Sequence, residues 1–229
     1  MQRDLILLIG QSNMAGRGPI HEVPAITHSH IAMFRNDQWQ QAEEPLHTDK
    51  STAGIGLAMS FAVEYLKAFP DAQVGLIPSA VGGTPLSRWM SGNDLYENAV
   101  SMAKRALEYG SLKGILWHQG ENDSQDLQNT NTYGQRFGDM ISALRTELGA
   151  PNVPFIAGEL GEFLSSHATC IYYTKINEAQ KQQTQNLPHC GFASAKDLKD
   201  HGDGIHFDST SLREFGRRYA AEYFRVINI

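Results

Sequence analysis

The chain has few cysteines, no excess of basic residues and no long apolar run, and each shortage makes a class of protein unlikely. Its 229 residues include two cysteines, Cys170 and Cys190, which in an acidic domain of this size are expected to be buried reduced thiols. Lys and Arg number 19 against 25 Asp and Glu, so no surface for nucleic acid or an anionic membrane is expected. The apolar run at residues 5–9 is too short to span a membrane, and no signal-peptide cleavage pattern follows it. As written, the chain is predicted to be cytoplasmic.

Several familiar motifs are also missing. There is no G-x-S-x-G elbow, no Walker phosphate loop, no G-x-G-x-x-G and no H-E-x-x-H, which removes the usual sequence grounds for an α/β-hydrolase, a nucleotide-binding protein or a zinc protease. Repeats and low-complexity tracts are absent as well. A hydrophobic content of 41% over this length is enough for a full core, so residues 1–229 are predicted to form one domain.

Short apolar runs alternate with longer amphipathic runs, which is typical of strands joined by crossover helices in a parallel sheet. Five strands are predicted at residues 4–10, 73–78, 112–117, 153–158 and 189–193, with a weak additional strand at 31–35. Apolar residues at helical spacing predict helices within 58–69, 95–109, 133–148, 173–187 and 212–226, the last opened by the capping candidates Asp208 and Ser209. The sequence therefore predicts an α/β fold with a mostly parallel five-stranded sheet.

Polar clusters follow four of the predicted strands. They occupy residues 11–13, 82–84, 118–123 and 203–206. In a right-handed, doubly wound sheet the ligand lies at the carboxyl ends of the strands, where loops lead into the next helix. We therefore expect these four loops to meet in one crevice.

The segment LILLIGQSNMAGRG, residues 5–18, places Ser12 directly after a buried strand and in the first turn of a predicted helix. A hydroxyl there stands at the positive end of the helix, and its own backbone N–H can help to hold the oxyanion that forms when it attacks an ester. Ser12 is therefore a candidate nucleophile. The alternative is that it only caps the helix.

A serine nucleophile needs a base, and His206 in the segment DHGDGIHFD, residues 200–208, is the candidate. Asp203 could accept the imidazole Nδ1–H, fix its tautomer and stabilise the imidazolium. His201, Asp203 and His206 could instead bind a metal, although their spacing matches no recognised zinc motif. A solvated loop rich in histidine is the third interpretation.

The segment ILWHQGENDS, residues 115–124, puts several polar side chains directly after a buried strand. Gln119 and Asn122 can each donate a side-chain N–H to a developing oxyanion. Glu121 is a second candidate to orient His206. The alternative is a helix N-cap at Asn122 or the residue after it.

The segment SAVGGTPLSRW, residues 79–89, has paired glycines just past a predicted strand. Such glycines can turn a backbone N–H into the crevice, so Gly82 and Gly83 are oxyanion candidates. The alternative is that Gly-Gly-Thr-Pro is ordinary turn chemistry.

Five segments combine these residues. They are GQSNMAGRG at residues 10–18, PLH followed by GIG between 45 and 56, AVGGTPLSRW at 80–89, WHQGEND at 117–123 and DGIHFD at 203–208. They reach over nearly the whole chain, and the first and fourth are specific. In this order they resemble the SGNH hydrolases, in particular the sialate O-acetylesterase and acetylxylan esterase group called carbohydrate esterase family 6.

The resemblance implies a three-layer αβα sandwich of the flavodoxin-like SGNH hydrolase type, with no cofactor and no metal. It implies Ser12 as nucleophile and His206 as base in an Asp-x-x-His arrangement. Members of the family differ over the acidic partner of the histidine. Asp203 is preferred here, and Glu121 is the second choice.

The resemblance also implies oxyanion donors from Ser12, Gly83 and Gln119. The broader superfamily places an asparagine in its third block, and Asn122 falls at that position. The narrower group uses the glutamine of the HQGE stretch instead, so Gln119 is preferred to Asn122.

The activity implied is removal of O-acetyl groups from a carbohydrate, either an acetylated xylan-type sugar or sialic acid, through an acetyl-serine intermediate. Possible substrate contacts are Gln11, Asn13, Thr84 and Arg88. Arg88 could pair with a substrate carboxylate or form a surface salt bridge. Four aromatic residues near the loops could stack on a sugar or belong to the core: Trp89, Tyr96, Trp117 and Phe207.

Two other classes stay open. A non-catalytic carbohydrate-binding relative would keep the fold, but it would have no need of Ser12, Asp203 and His206 together. A metal-dependent hydrolase would use His201 with the same aspartate and histidine, and a chelator would separate it from a serine enzyme. The sequence makes no prediction of oligomeric state.

Overall fold

The structure, a computed structural model, describes residues 2–229 and contains one seven-stranded sheet in that range. Its strands are β1 Arg3–Gly10, β2 Ile31–Arg35, β3 Gln38–Gln41, β4 Val74–Pro78, β5 Gly110–His118, β6 Phe155–Gly158 and β7 Cys190–Ala193. The five predicted strands are all present within two residues at every end, and the weak strand at 31–35 is formed as well.

The strand order across the sheet is β3-β2-β4-β1-β5-β6-β7. Every neighbouring pair is parallel except β2 and β3, which form an antiparallel hairpin at one edge. The prediction of a mostly parallel sheet is confirmed, whereas the predicted count of five strands is too low.

The missed strand, β3, is a polar edge strand with the sequence QWQQ, and three of its four residues are exposed. An edge strand that buries almost nothing has no apolar pattern to reveal it. The turn that precedes it did carry a signal, because Asn36 and Asp37 both adopt a positive φ. Two such residues between strands form the tight turn that suits the right-handed twist of a hairpin.

Six α-helices accompany the sheet within the described residues. They are α1 Ser12–Ala15, α2 Ala58–Ala68, α3 Asp94–Ala106, α4 Leu127–Glu147, α5 Tyr173–Asn186 and α6 Ser209–Ile227. Helix α4 begins six residues before the predicted start, because Asp126 caps it by accepting the N–H of Asn129 at 2.8 Å. Asp208 caps α6 in the same way, accepting the N–H of Ser211.

Helices cover both faces of the sheet. Along β1, Ile6 and Leu8 point to one face and join the core formed with α2 and α6. Leu5, Leu7 and Ile9 point to the other face and join the core formed with α3, α4 and α5. This alternation follows from the two-residue period of a strand, and it confirms the three-layer αβα sandwich.

The remaining composition-based expectations concern cysteines and aromatic residues. Cys170 and Cys190 are buried free thiols. The four aromatic residues near the loops belong to the core, with 0–1% of their surface exposed: Trp89, Tyr96, Trp117 and Phe207. Within residues 2–229, no helix combines the length and apolar composition needed to cross a membrane.

His47, in the PLH segment, is a buried titratable group with 4% of its surface exposed. Burial lowers the pKa of His47 to about 4, although the nearby Asp49 carboxylate acts in the opposite direction. The unfolded chain therefore takes up a proton at His47 near its ordinary pKa of about 6.5, while the folded chain does not.

We expect the free energy of unfolding to fall as the pH drops from about 6.5 to about 4, because the unfolded state binds the extra proton in that window. A pKa difference of this size corresponds to a loss on the order of 3 kcal/mol. The variant His47→Gln cannot take up the proton, so its stability should fall less steeply with acidification. Urea unfolding of both proteins across this window would measure the difference, and equal slopes would contradict a buried neutral His47.

Candidate active site

The four polar loops meet at the carboxyl ends of β1, β4 and β5, as expected. They surround a crevice of about 490 Å³. Its lining includes Ser12, Gly82, Gly83, Glu121, Asn122 and His206. Residues far apart in the chain therefore share one cavity, which is the arrangement that a parallel sheet provides at this edge.

Ser12 is the first residue of α1 and follows β1 after a sharp turn. Gly10 makes the turn possible, because its φ is +126° and a Cβ there would collide with the His118 carbonyl. The Ser12 Oγ lies 2.9 Å from His206 Nε2, and His206 Nδ1 lies 2.6 Å from Asp203 Oδ2. The three side chains thus form one hydrogen-bonded series.

Asp203 is held by its own loop. Its Oδ1 accepts the backbone N–H groups of Ile205 at 3.0 Å and His206 at 2.9 Å. Partial burial alone would raise the pKa of Asp203, but these two N–H groups and the His206 side chain hold it below its usual value. An ionised Asp203 accepts the His206 Nδ1–H and leaves Nε2 free to accept the proton of Ser12.

Glu121, the second candidate partner of His206, lies elsewhere. It is 1% exposed, accepts Asn13 Nδ2 at 2.6 Å and lies 3.4 Å from His118 Nε2. Its carboxylate makes no hydrogen bond to His206 among the described residues. Of the two carboxylates, only Asp203 is in a position to orient the imidazole.

Gln119 is fully buried. Its Nε2 donates to the Thr84 carbonyl at 3.0 Å and to Asp123 Oδ2 at 2.7 Å, and its Oε1 accepts Tyr133 OH at 2.9 Å. Both amide protons are used inside the protein, so no N–H remains for an oxyanion. The expectation that Gln119 supplies the oxyanion donor does not fit this geometry.

Asn122 lines the crevice instead. Its Nδ2 donates to the Gly83 carbonyl at 3.2 Å and carries a second proton that this bond does not use. Its backbone N–H donates to Gln11 Oε1 at 3.4 Å. The signal for Asn122 was present in the sequence, since it falls at the asparagine of the superfamily's third block.

The glycine pair is ordered by a buried ion pair. Arg17 Nη2 contacts Asp49 Oδ2 at 2.6 Å, and the same oxygen accepts the N–H of Gly82 at 2.7 Å. Gly82 therefore has its N–H engaged, which leaves Gly83 as the oxyanion candidate of the pair. Gly83 adopts a φ of +75°, and a Cβ there would meet nothing within 4 Å, so this residue faces open space. Arg17 and Asp49 were not identified from the sequence, although Arg17 lies within the segment GQSNMAGRG and Asp49 between PLH and GIG.

The remaining predicted contacts divide between the crevice and the rest of the protein. Gln11 lines the crevice, whereas Asn13 and Thr84 are buried and do not line it. Asn13 donates to Glu121 at 2.6 Å, and Thr84 donates to the Val81 carbonyl at 2.8 Å. Arg88 does not line the crevice, and it pairs with Asp94 on the surface. Of the two roles considered for Arg88, the structure shows the surface salt bridge. The exposed cation in the lining is Lys50, which sequence reasoning did not single out.

The metal alternative also has a geometric basis. His201, Asp203 and His206 each offer one ligand atom, and these atoms lie within 4.8 Å of one another. His201 Nε2 is 3.3 Å from Asp203 Oδ2, and its ring stacks parallel to that of His206. Both nitrogens of His206 already contact Asp203 and Ser12, so a metal ion would compete with the hydrogen-bonded series.

The fold is that of a GDSL-like lipase structure from Parabacteroides merdae, which at 11% identity gives a TM-score of 0.63 over 97% and 96% of the chains. The chain belongs to the carbohydrate esterase family of sialic acid-specific acetylesterases, whose model matches residues 2–225. The resemblance expected from the five segments is therefore confirmed, and the protein is placed among carbohydrate esterases.

Individual relatives agree with this assignment. A probable carbohydrate esterase of Arabidopsis thaliana is 30% identical over 240 residues, which cover 96% of this chain and 89% of that protein. The X-ray structure of that Arabidopsis thaliana protein superposes with a TM-score of 0.89, covering 98% of this chain and 99% of its own. NanS, at 18% identity, gives a TM-score of 0.83 over 99% and 98% of the chains. A carbohydrate acetylesterase from Xanthomonas citri, at 21%, gives 0.72 over 97% of this chain and 56% of its own. The last two likenesses show the fold.

Proposed function

We propose that the protein is a serine esterase that removes O-acetyl groups from a carbohydrate through an acetyl-serine intermediate. The observation that carries the proposal is the series Ser12–His206–Asp203, with contacts of 2.9 and 2.6 Å, in the crevice of a chain that belongs to a carbohydrate esterase family. The acetylated sugar is of the xylan type or a sialic acid.

In the first half of the reaction, Ser12 Oγ attacks the acetyl carbonyl while His206 Nε2 accepts its proton. Asp203 stabilises the imidazolium that results. The negative charge on the carbonyl oxygen is held by the N–H groups of Ser12 and Gly83 and by the side-chain amide of Asn122. The tetrahedral intermediate collapses, and the sugar oxygen leaves with the proton from His206.

In the second half, a water molecule takes the place of the sugar. His206 Nε2 accepts a proton from the water as its oxygen attacks the acetyl-serine carbonyl. The same donors hold the second oxyanion. Collapse returns the proton to Ser12 Oγ and releases acetate.

The assignment of Asn122 in place of Gln119 makes a direct prediction. We expect Asn122→Ala to lower kcat by about 10²- to 10³-fold, the usual loss for one oxyanion donor. The exposed Asn98 of α3 offers a matched control, and Asn98→Ala should leave kcat near the wild-type value. Steady-state acetate release would measure both variants, and a wild-type kcat in Asn122→Ala would contradict the assignment.

The proposed function is tested by acetate release from p-nitrophenyl acetate, acetylated xylo-oligosaccharide and O-acetylated sialic acid, each with and without a chelator. We expect acetate from at least one sugar, no effect of the chelator, and covalent labelling of Ser12 by an organophosphate. Activity that a chelator removes and zinc restores would favour the metal-dependent hydrolase instead. Sugar binding without acetate release would favour the non-catalytic relative.

A further inference from the structure

Asn13, the residue after the proposed nucleophile, makes hydrogen bonds that none of the proposed reaction steps uses. Its Oδ1 accepts the N–H of Phe207 at 3.1 Å, and its Nδ2 donates to the Ile205 carbonyl at 3.1 Å. These are the two chain neighbours of His206. The second Nδ2 proton goes to Glu121 Oε1 at 2.6 Å, and Asn13 itself is 1% exposed. The amide therefore spans the backbone on both sides of His206.

The orientation of this amide is determined by its partners. A reversed amide would place its N–H groups against the Phe207 N–H and its oxygen against both the Ile205 carbonyl and the Glu121 carboxylate. Such a reversal would leave three buried groups without partners, which is costly in a protein interior. Glu121 thus adds to the two backbone partners in favouring the one orientation in which Asn13 holds both neighbours of His206.

Glu121 is in turn supported from beneath by His118 and Tyr219, both fully buried. The Tyr219 hydroxyl donates its proton to the Trp117 carbonyl at 2.7 Å, and its oxygen lies 3.2 Å from His118 Nδ1. His118 Nε2 lies 3.4 Å from Glu121 Oε1. Burial alone would raise the pKa of Glu121, but His118 and Asn13 lower it below its usual value. His118 and Tyr219 thus form the buried surroundings of the Glu121 carboxylate, whose hydrogen bond comes from Asn13.

The loop that carries His206 requires contacts with the rest of the protein to position it relative to Ser12. Residues 201–203 are exposed, and many contacts of the loop are internal, such as those of Asp203 to Ile205 and His206. Internal contacts set the shape of a loop and do not fix where it lies relative to β1 and α1. Phe207 is anchored in the core, and Asn13, in the same helical turn as Ser12, ties the backbone of Ile205 and Phe207 to that turn.

We propose that Asn13, oriented by the buried Glu121 and His118, is a positioning residue that clamps the His206 loop at a fixed distance from Ser12. The inference rests on the proposed roles of Ser12 and His206. It gives Glu121 a role different from that of an acidic partner, because Glu121 acts through a neutral amide and makes no contact with His206. Glu121 acts mainly through the oxygen that accepts the hydrogen bond from Asn13, and less through its negative charge.

The first test is the variant Asn13→Ala, assayed for kcat and KM on p-nitrophenyl acetate and for amide hydrogen exchange at Phe207 by NMR. We expect kcat to fall by about 10²-fold with KM within about threefold of wild type, since misplacing a catalytic group by a fraction of its contact distance has effects of this size. Exchange at the Phe207 N–H should accelerate by about tenfold because its acceptor is gone. A wild-type kcat would overturn the proposal, whatever the exchange rate at Phe207.

Asn177 provides a matched control for general damage. Its Oδ1 accepts the N–H of Leu160 at 2.8 Å and its Nδ2 donates to the Leu160 carbonyl at 3.1 Å, so it clamps another loop in the same manner. Asn177→Ala should lower thermal stability with little change in kcat or in Phe207 exchange. If Asn13→Ala does not fold, Asn13→Asp keeps the shape and the acceptor for Phe207 but loses both donors, and its kcat should fall at least as far.

The second test separates the two possible roles of Glu121. Glu121→Gln keeps an oxygen that accepts from Asn13, so we expect a kcat within about fivefold of wild type, whereas Glu121→Ala should lose at least about tenfold. If Glu121→Gln were as damaging as Asp203→Asn, Glu121 would act through its charge and the proposal would be wrong.

Failure of this inference and failure of the proposed function give different results. An active Ser12→Ala would remove the serine mechanism whatever Asn13 does. An inactive Ser12→Ala with a fully active Asn13→Ala would leave the serine mechanism in place and remove only the clamp.

Discussion

Ser12→Ala is expected to lower kcat for acetate release by about 10⁵- to 10⁶-fold, the effect of removing the nucleophile from a Ser-His-Asp enzyme. Without Ser12 Oγ, His206 Nε2 has no hydroxyl within 2.9 Å from which to accept a proton, and no acetyl-enzyme can form. The change removes one oxygen from a side chain that is 5% exposed, so the fold should be retained.

Acetate release at saturating sugar would measure this loss, with calorimetric binding of the sugar as a second readout that should change little. The exposed Ser51, next to Lys50 at the crevice, is a suitable control, and Ser51→Ala should keep wild-type kcat. A Ser12→Ala protein within about tenfold of wild type would exclude covalent catalysis by this residue.

Asp203→Asn should lower kcat by about 10⁴-fold, although it changes one atom. The N–H groups of Ile205 and His206 both point at Oδ1, so the asparagine must keep its oxygen there and turn its NH₂ toward His206 Nδ1. An NH₂ cannot accept the Nδ1–H. The imidazole would then carry its proton on Nε2, where it faces Ser12 Oγ and cannot act as a base.

The proton position in Asp203→Asn can be observed directly by nitrogen NMR of His206, which should show Nδ1 unprotonated in the variant and protonated in the wild type. His201→Ala is the comparison variant, because it removes the weaker contact of 3.3 Å to the same carboxylate and should cost far less activity. If the loss in His201→Ala equalled that in Asp203→Asn, the metal-dependent alternative would gain support over the serine mechanism.

The fold could be read from the sequence wherever burial left an apolar pattern. Strand β1 is buried on both faces, so its continuous apolar run was visible, and helix α6 shows an apolar stripe opened by its cap Asp208. Strand β3 was missed because it lies at an edge and exposes most of its side chains. The start of α4 was missed because Asp126 caps a first turn that carries little apolar pattern.

The sequence by itself determined which chemical groups this protein brings to the carboxyl edge of its sheet. Each polar cluster follows a buried strand, and strand ends can be located from local patterns of burial. The meeting of Ser12, Gly83, Asn122 and His206 in one crevice followed from the parallel topology, and the structure shows it.

Only the tertiary structure decided which of these groups contact one another. Gln119 and Asn122 are three residues apart in the chain. Gln119 donates both of its side-chain amide protons to groups inside the protein, whereas Asn122 lines the crevice. Asp203 was preferred to Glu121 from the sequence, but only the contact of Asp203 with His206 decided between them. The hydrogen bond from His206 to Ser12 joins positions 194 residues apart. Such choices depend on a few tenths of an ångström between distant segments, and no local pattern in a sequence records a distance of that kind.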